Sequence, residues 1–242
     1  MQDIKEQDLK QLLVSGAAEF NVCLTDDMID KFFSYMTLLK EWNSKMNLTA
    51  IEKDRDVVIK HFIDSLSIMP FLENRELTLV DMGTGAGFPG VPLKIVHSAL
   101  NITLTDSLKK RLTFLDEVIK SLKLKKIHTV HSRAEDLGHD KSHREKYDVT
   151  VARAVASLPI LLEYCLPLLR PGGIFIAMKG SDIKEVQSSD KALSTLGGEI
   201  VKIKKIILPF TDNERNIILI KKFRHTPTSY PRKAGKPSKN PL

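Results

Sequence analysis

"LVDMGTGAGFPGVPLKI", residues 79–95, joins an apolar run ending in Asp81 to three glycines, Gly83, Gly85 and Gly87, at every second position. Residues 77–82 read as a short buried strand, and the stretch from Val91, with Pro92 in its first turn, reads as the start of a helix. Glycines in such a strand-to-helix turn let the backbone take positive φ and let a ligand approach without meeting a Cβ. The stretch therefore predicts an α/β chain with a ligand loop at the carboxyl edge of its sheet.

Outward from this loop, strand and helix patterns alternate. "ITLTDS" (102–107), "KIHTVH" (126–131), "YDVTVAR" (147–153), "GGIFIAMK" (172–179), "EIVKIKKIIL" (199–208) and "RNIILIKKF" (215–223) read as six further strands. Helices are expected at 109–122, 157–169 and about 183–196. A parallel neighbour needs a crossover of a dozen or so residues, and "PFTDNE" (209–214) offers half that, so the last strand should run antiparallel. The expected sheet is doubly wound, seven-stranded and mostly parallel.

Before the loop the pattern is helical. In "TDDMIDKFFSYMTLLKEWNSK" (25–45), Thr25 or Asp26 can cap a helix whose Ile29, Phe32, Phe33, Met36, Leu39 and Trp42 form one apolar stripe. Val57, Phe62, Ile63, Leu66 and Met69 form a second apolar set that stops before Pro70. After Phe223 there is no apolar periodicity, and prolines are frequent, so an extended tail is expected. The chain divides into a helical extension (1–75), a ligand-binding core (76–223) and a basic tail (224–242).

Of 242 residues, 42% are hydrophobic and 28% charged, the balance of a folded globular chain. The formal net charge is +7, and the tail carries Arg224, Arg232, Lys233, Lys236 and Lys239 with no acid, which predicts an anionic partner. Cys23 and Cys165 stand far apart, outside any Cys/His cluster, so neither a disulfide framework nor a metal site is expected. The start, "MQDIKEQDLK", is polar, and no apolar run approaches the ~18 residues of a membrane helix, so a reducing cytoplasm is expected.

Three ligands compete for the loop. Gly85, Gly87 and Gly90 spell G-x-G-x-x-G, and Asp106, 21 residues beyond Gly85, stands where a dinucleotide's ribose acceptor would be. Against a dinucleotide, Asp81 sets a carboxylate at the strand's mouth, which would repel a pyrophosphate and suit an ammonium. A P-loop is excluded because G-x-x-x-x-G-K-[ST] is absent. S-adenosylmethionine can use Asp106 for its ribose and "SRAEDL" (132–137), including Ala134 and Glu135, for its adenine. Asp106 can equally open the following helix as a cap.

These motifs together resemble the bacterial 16S ribosomal RNA guanine-N7 methyltransferase family, also called glucose-inhibited division protein B. "EWNSKMNLTAI" (41–51), "HFIDSL" (61–66), "DMGTGAGFPGVPL" (81–93), "YDVTVARAVASL" (147–158), "FIAMKG" (175–180), "RNIILIKK" (215–222) and "YPRKAGKPSKNPL" (230–242) carry the likeness over nearly the whole chain. It implies a Rossmann-like class I methyltransferase fold and methyl transfer from S-adenosylmethionine to a guanine N7 of 16S rRNA in the small subunit; separately from the resemblance, a monomer is expected. It also implies cofactor contacts at Gly83, Phe88, Ala134, Glu135 and Arg153, with Asp106 as the ribose acceptor.

A ring nitrogen already carries its lone pair, so no general base is required, and the sequence offers no Ser/His/Asp or Cys/His constellation. Cys165 lies in an apolar helix, and "ARAV" (152–155) is not the [DN]-P-P-[YFW] loop of exocyclic-amine methylation. Lys110, Arg153, Lys179 and Arg215 stand at strand ends or ligand-side loops as candidate RNA contacts. Arg232, Lys233, Lys236 and Lys239 are expected to follow an RNA backbone. His61 reads as a packed structural histidine or a partner of the substrate loop. An oxidoreductase, a non-catalytic RNA-binding module and a small-molecule methyltransferase remain as rival readings.

Overall fold

The computed structural model describes residues 6–242. The first five residues of the polar start lie outside the described residues. Seven strands form one sheet: β1 (Thr78–Met82), β2 (Asn101–Asp106), β3 (Ile127–His131), β4 (Tyr147–Arg153), β5 (Leu169–Lys179), β6 (Gly198–Ile207) and β7 (Glu214–Lys222). Their order is β3-β2-β1-β4-β5-β7-β6. All pairings from β3 to β5 are parallel, and β7 runs antiparallel to both β5 and β6, as the short connection before it requires. Strand order reverses between β1 and β4, which makes the carboxyl ends of these two strands the natural ligand site.

Side chains alternate across the sheet and so build two cores. Leu79, Val151, Ile176 and Ile217 face one core, while Val80, Ala152, Ala177 and Ile218 face the other. The first core is covered by α1 (Glu6–Ala18), α2 (Asp26–Met46), α5 (Gly90–Val96) and α6 (Lys109–Ser121). A continuous helical run joins them, made of α3 (Asp54–Val57), a π-helical stretch (Val58–Ile63) and α4 (Asp64–Leu66). The second core is covered by α7 (Ala134–Leu137), α8 (Leu158–Cys165) and α9 (Asp190–Leu196). The amino-terminal helices are thus one layer of the main fold: Phe32 and Tyr35 are fully buried, and Trp42 packs 5.7 Å from Phe114 of α6.

Local chemistry explains these elements. Thr25 caps α2 by accepting the Met28 N–H at 3.4 Å, as expected. Helix α1 escaped the sequence reading; its Leu9, Leu13 and Ala17, spaced by four, form a single narrow buried stripe. The helix expected over 183–196 is broken into a single 3₁₀ turn (Lys184–Val186) and α9. The Ser188 and Ser189 hydroxyls both donate to the Glu185 carbonyl at the break, the local competition that serines offer to a helix ladder. No described helix is long and apolar enough to cross a membrane.

The carboxy-terminal segment differs from the extended tail the sequence predicts. It folds back on α7 and α8 and ends in a short helix, α10 (Lys236–Lys239). Its prolines end regular structure, but its backbone carbonyls find partners on the core: Arg144 donates to those of Thr226 (2.8 Å) and Tyr230 (2.7 Å).

Candidate active site

The glycine loop is held from below by carboxylates. Asp81 is fully buried; its Oδ2 accepts the Thr84 hydroxyl at 2.7 Å and the Gly90 N–H at 2.8 Å. Burial pushes its carboxyl up to about 6, against the pull of those two hydrogen bonds. Its Oδ1 has no hydrogen-bond partner among the described residues. This corrects the expectation that Asp81 stands at the mouth of the strand: it lies beneath the loop and closes it. Tyr35 of α2 adds a buried hydrogen bond to the Ala86 carbonyl, so the helical layer also fixes the loop.

Above the loop lies a cleft of about 520 Å³, lined among others by Gly83, Asp106, Ala134, Glu135, Val155 and Gly235. Asp106, at the end of β2, accepts the Gly85 N–H at 3.1 Å, the Leu108 N–H at 2.8 Å and Arg111 Nη1 at 3.1 Å. One carboxylate therefore joins the glycine loop to the turn that opens α6. Gly85 has φ +60, and a Cβ there would meet nothing within 4 Å, so the loop backbone is bare on that side. Glu135, 7% exposed, accepts the Gly235 N–H at 2.9 Å on Oε1, with the Tyr164 hydroxyl at 3.4 Å from the same oxygen. No protein donor among the described residues reaches its Oε2.

A second cleft, about 610 Å³, opens on the other side of Ala154. Ala154 lines both clefts and takes φ +57, a left-handed conformation uncommon for a residue with a Cβ. This cleft presents five cations, Lys60, Arg153, Lys179, Lys184 and Arg215, against three carboxylates, Asp64, Asp182 and Glu185. Asp64 is nearly buried and binds two of them: Arg153 Nη1 at 2.8 Å and Arg215 Nε at 3.1 Å. Lys179 donates to the Ala156 carbonyl and pairs with Glu185, both at 2.7 Å, which ties the β4–α8 loop to the end of β5.

The floor of this cleft is aromatic. His61 stacks on Phe88 with ring centroids 4.2 Å apart and planes 9° apart, and the Arg153 guanidinium lies 5.2 Å from the Phe88 centroid. Burial, reinforced by Arg153, holds the His61 imidazole down at about 3. Arg153 Nη2 can only donate, so His61 Nδ1 (3.2 Å away) accepts, and Nε2 carries the proton toward Thr49 Oγ1 at 2.8 Å. The π-helical stretch turns Lys60, His61 and Asp64 toward one cleft.

The expected site residues therefore divide. Gly83, Gly85, Asp106, Ala134 and Glu135 gather about the first cleft, and Arg153, Lys179 and Arg215 about the second. Phe88, which the resemblance makes a cofactor contact, is 5% exposed, packs in the core under His61 and lines neither cleft. Lys110 is exposed on α6 and lines neither cleft. Arg232 turns inward onto Glu163 of α8, with Nη2 to Oε2 at 2.6 Å, which corrects its assignment to the RNA; Lys233 and Lys236 stay exposed. Cys165 is fully buried and burial pushes its thiol well up, leaving it packing alone. The reading missed Asp64, Arg111 and Tyr164. The signal for Asp64 was its i, i+3 spacing from His61 in "HFIDSL".

Comparison with known proteins follows the same lines. The family model described as GidB, rRNA small subunit methyltransferase G, matches residues 28–218. The chain is 61% identical over 240 residues to ribosomal RNA small subunit methyltransferase G of Acetivibrio thermocellus, covering 99% of both. It is 52% identical over 237 residues to the same-named protein of Alkaliphilus oremlandii, covering 97% of this chain and 99% of that one. Among solved structures, TrmN from Thermus thermophilus matches with TM-score 0.51 at 16% identity, over 69% of this chain and 53% of that one. M. jannaschii TYW2 in complex with AdoMet matches at 0.50 and 16%, over 64% and 72% respectively. These structural likenesses are of fold alone. Matched end to end by close relatives and over most of its length by the family model, the chain belongs to the GidB family, rRNA small subunit methyltransferase G.

Proposed function

We propose that this chain transfers a methyl group from S-adenosylmethionine to N7 of a guanine in 16S ribosomal RNA, acting as a cytoplasmic monomer on the small subunit. The observation that carries the reading is the shared wall at Ala154: a nucleoside-sized, acid-lined cleft and a cation-lined cleft meet at one backbone position.

The residues of the first cleft fit the cofactor. Asp106 is placed to accept from ribose hydroxyls beside Arg111, and Glu135 keeps Oε2 for the adenine amine. The bare Gly85 backbone leaves room for the amino-acid portion without a Cβ in the way. Asp81 acts through the loop, by fixing Thr84 and Gly90. When bound, the cofactor supplies an electrophilic methyl on a sulfonium, and the charge passes from sulfur to the base as the methyl moves.

The second cleft takes the guanine and its phosphates. Lys179 and Arg215 can donate to the O6 edge or to phosphate, while N7 keeps its lone pair. No proton leaves, so no base is needed, and His61 is neutral with its Nδ1 already engaged by Arg153. Asp64 and Glu185 hold the cations in place and offset them, so a base that becomes positive is not expelled. Positioning then supplies much of the barrier reduction, on the order of 7–11 kcal/mol in well-oriented systems. The exposed Lys233, Lys236 and Lys239 extend the cationic surface toward the RNA backbone.

The test is transfer of labelled methyl to small-subunit particles and to free 16S rRNA, followed by mapping of the modified atom. Label on a guanine N7 is expected. RNA binding without transfer to either substrate, or heat of binding with NADH and none with S-adenosylmethionine, would overturn the reading.

A further inference from the structure

The segment after β7 reaches the first cleft as a strap with fixed anchors. Arg144 binds the carbonyls of Thr226 and Tyr230, and His139 Nε2 lies 2.6 Å from the Pro231 carbonyl oxygen. Gly138, at the end of α7, has no Cβ where Pro231 lies: one built there would sit 2.4 Å from the proline ring. Then comes the strongest anchor. Glu163 is fully buried on α8 and accepts from Arg232 four times: from its backbone N–H at 2.7 Å, from Nε at 2.9 and 3.1 Å, and from Nη2 at 2.6 Å. A buried carboxylate needs this saturation, because unpaired it carries a large desolvation penalty.

Three residues beyond that anchor, the strap meets the cleft. Gly235 donates its N–H to Glu135, and Ser238 Oγ lies 3.1 Å from the Tyr164 hydroxyl. Both residues line the cleft that holds Asp106 and Glu135. Gly235 has φ +79, and a Cβ there would meet nothing within 4 Å, so its unhindered side is open space.

We propose that residues 230–239 form a strap that completes the cofactor cleft, with Arg232 as a positioning residue that holds Gly235 and Ser238 against Glu135 and Tyr164. On this account the segment sets cofactor affinity through its inner edge, whatever its outward lysines do. The inference rests on the reading that this cleft takes S-adenosylmethionine.

Calorimetric titration of the full chain with S-adenosylhomocysteine tests it. Arg232→Ala is expected to weaken binding by about tenfold or more, a change of ~1.4 kcal/mol. Arg232→Lys should recover part of the loss, since lysine keeps the charge but not the fork. Arg232→Ala strands a buried carboxylate and can unfold the chain, so Gly235→Ala is the second variant: it should weaken binding in a chain that stays folded, with the melting midpoint lowered by only about a few degrees by the strain at its positive φ. Linkage gives an independent readout. Saturating S-adenosylhomocysteine should slow tryptic cleavage after Lys233 and Lys239 in the wild type and should do so less in Gly235→Ala. RNA affinity should not move in Gly235→Ala, which leaves the Arg232 anchor and the three lysines in place.

Folded Arg232→Ala and Gly235→Ala proteins that bind as tightly as wild type, or cleavage rates indifferent to the ligand, would remove the strap and leave the methyltransferase reading standing. A wild-type chain that takes up neither S-adenosylmethionine nor its product would remove both.

Discussion

The clefts on either side of Ala154 are both built from charged residues, but their charges are arranged in opposite ways. In the cleft proposed for the cofactor the carboxylates are the fixed points: Asp81 and Asp106 gather the backbone N–H groups of Gly90, Gly85 and Leu108, and Glu135 gathers that of Gly235. In the cleft proposed for guanine the cations line the open space, and buried Asp64 ties Arg153 to Arg215. Backbone donors cannot be rearranged without moving a loop, whereas side-chain pairs can be broken one at a time. Damage to the first cleft should therefore appear as lost cofactor binding, and damage to the second as lost stability together with lost transfer.

Asp64→Ala tests the second half of that contrast and should have the largest effect. It leaves two guanidinium groups, Arg153 and Arg215, facing each other with little solvent. Breaking a buried pair by removing one partner costs about 3–5 kcal/mol, and urea denaturation should register a loss of that order, with methyl transfer abolished. A loss below 1 kcal/mol with transfer retained would show that the cations hold their places without Asp64. Asp106→Asn is the counterpart in the first cleft. It removes the charge from hydrogen bonds that are each worth about 1.5–3 kcal/mol, so calorimetry should find cofactor affinity down by on the order of ten- to a hundredfold. RNA affinity measured alongside should hold, and a fall in it would blur the division between the clefts.

His61 supplies a pH test of the same division. Its folded value, about 3, lies below its ordinary 6.5, so the unfolded chain binds the extra proton first as pH falls. The stability due to neutral His61 is complete above 6.5 and is lost progressively from there toward 3, at up to about 1.4 kcal/mol per pH unit. Comparing urea denaturation at pH 7 and pH 5, the drop should be smaller in His61→Asn than in the wild type. Equal drops in both proteins would mean that burial and Arg153 together do not keep the proton off His61.

What was legible in the sequence follows from how far each signal reaches. The antiparallel last strand could be read because six residues between two strands decide its direction locally. The edge positions of Asp106 and Glu135 could be read because a strand's carboxyl end is a place: Asp106 closes β2 and Glu135 lies just beyond β3. Asp81 misled because its position in the strand is the same whether it faces a ligand or the loop; only the Gly90 N–H, nine residues on, settles the matter. Arg232 misled for a like reason on a larger scale: its partner, Glu163, lies 69 residues away, and in a basic stretch one inward arginine has no periodicity to betray it. Phe88, which the resemblance makes a cofactor contact, sits where two helices that the loop sequence does not mention meet: His61 and Tyr35 close over it.

The tail offers the finest version of the comparison, because neighbouring basic residues on it face opposite ways. Arg232 is tied to Glu163, while Lys233, Lys236 and Lys239 are exposed. A cation that neutralises an RNA phosphate releases a counterion, so removing it changes the slope of log affinity against log salt by about 0.7 for single-stranded RNA. A cation already neutralised by a protein carboxylate has no counterion to release. Replacing the three lysines by alanine should therefore flatten the slope by roughly 2, each contributing a share, and should leave cofactor affinity as it was. Arg232→Lys should leave the slope untouched. If the arginine variant moves the slope as a lysine variant does, Arg232 leaves Glu163 when RNA binds, and the inner and outer edges of the strap are one surface.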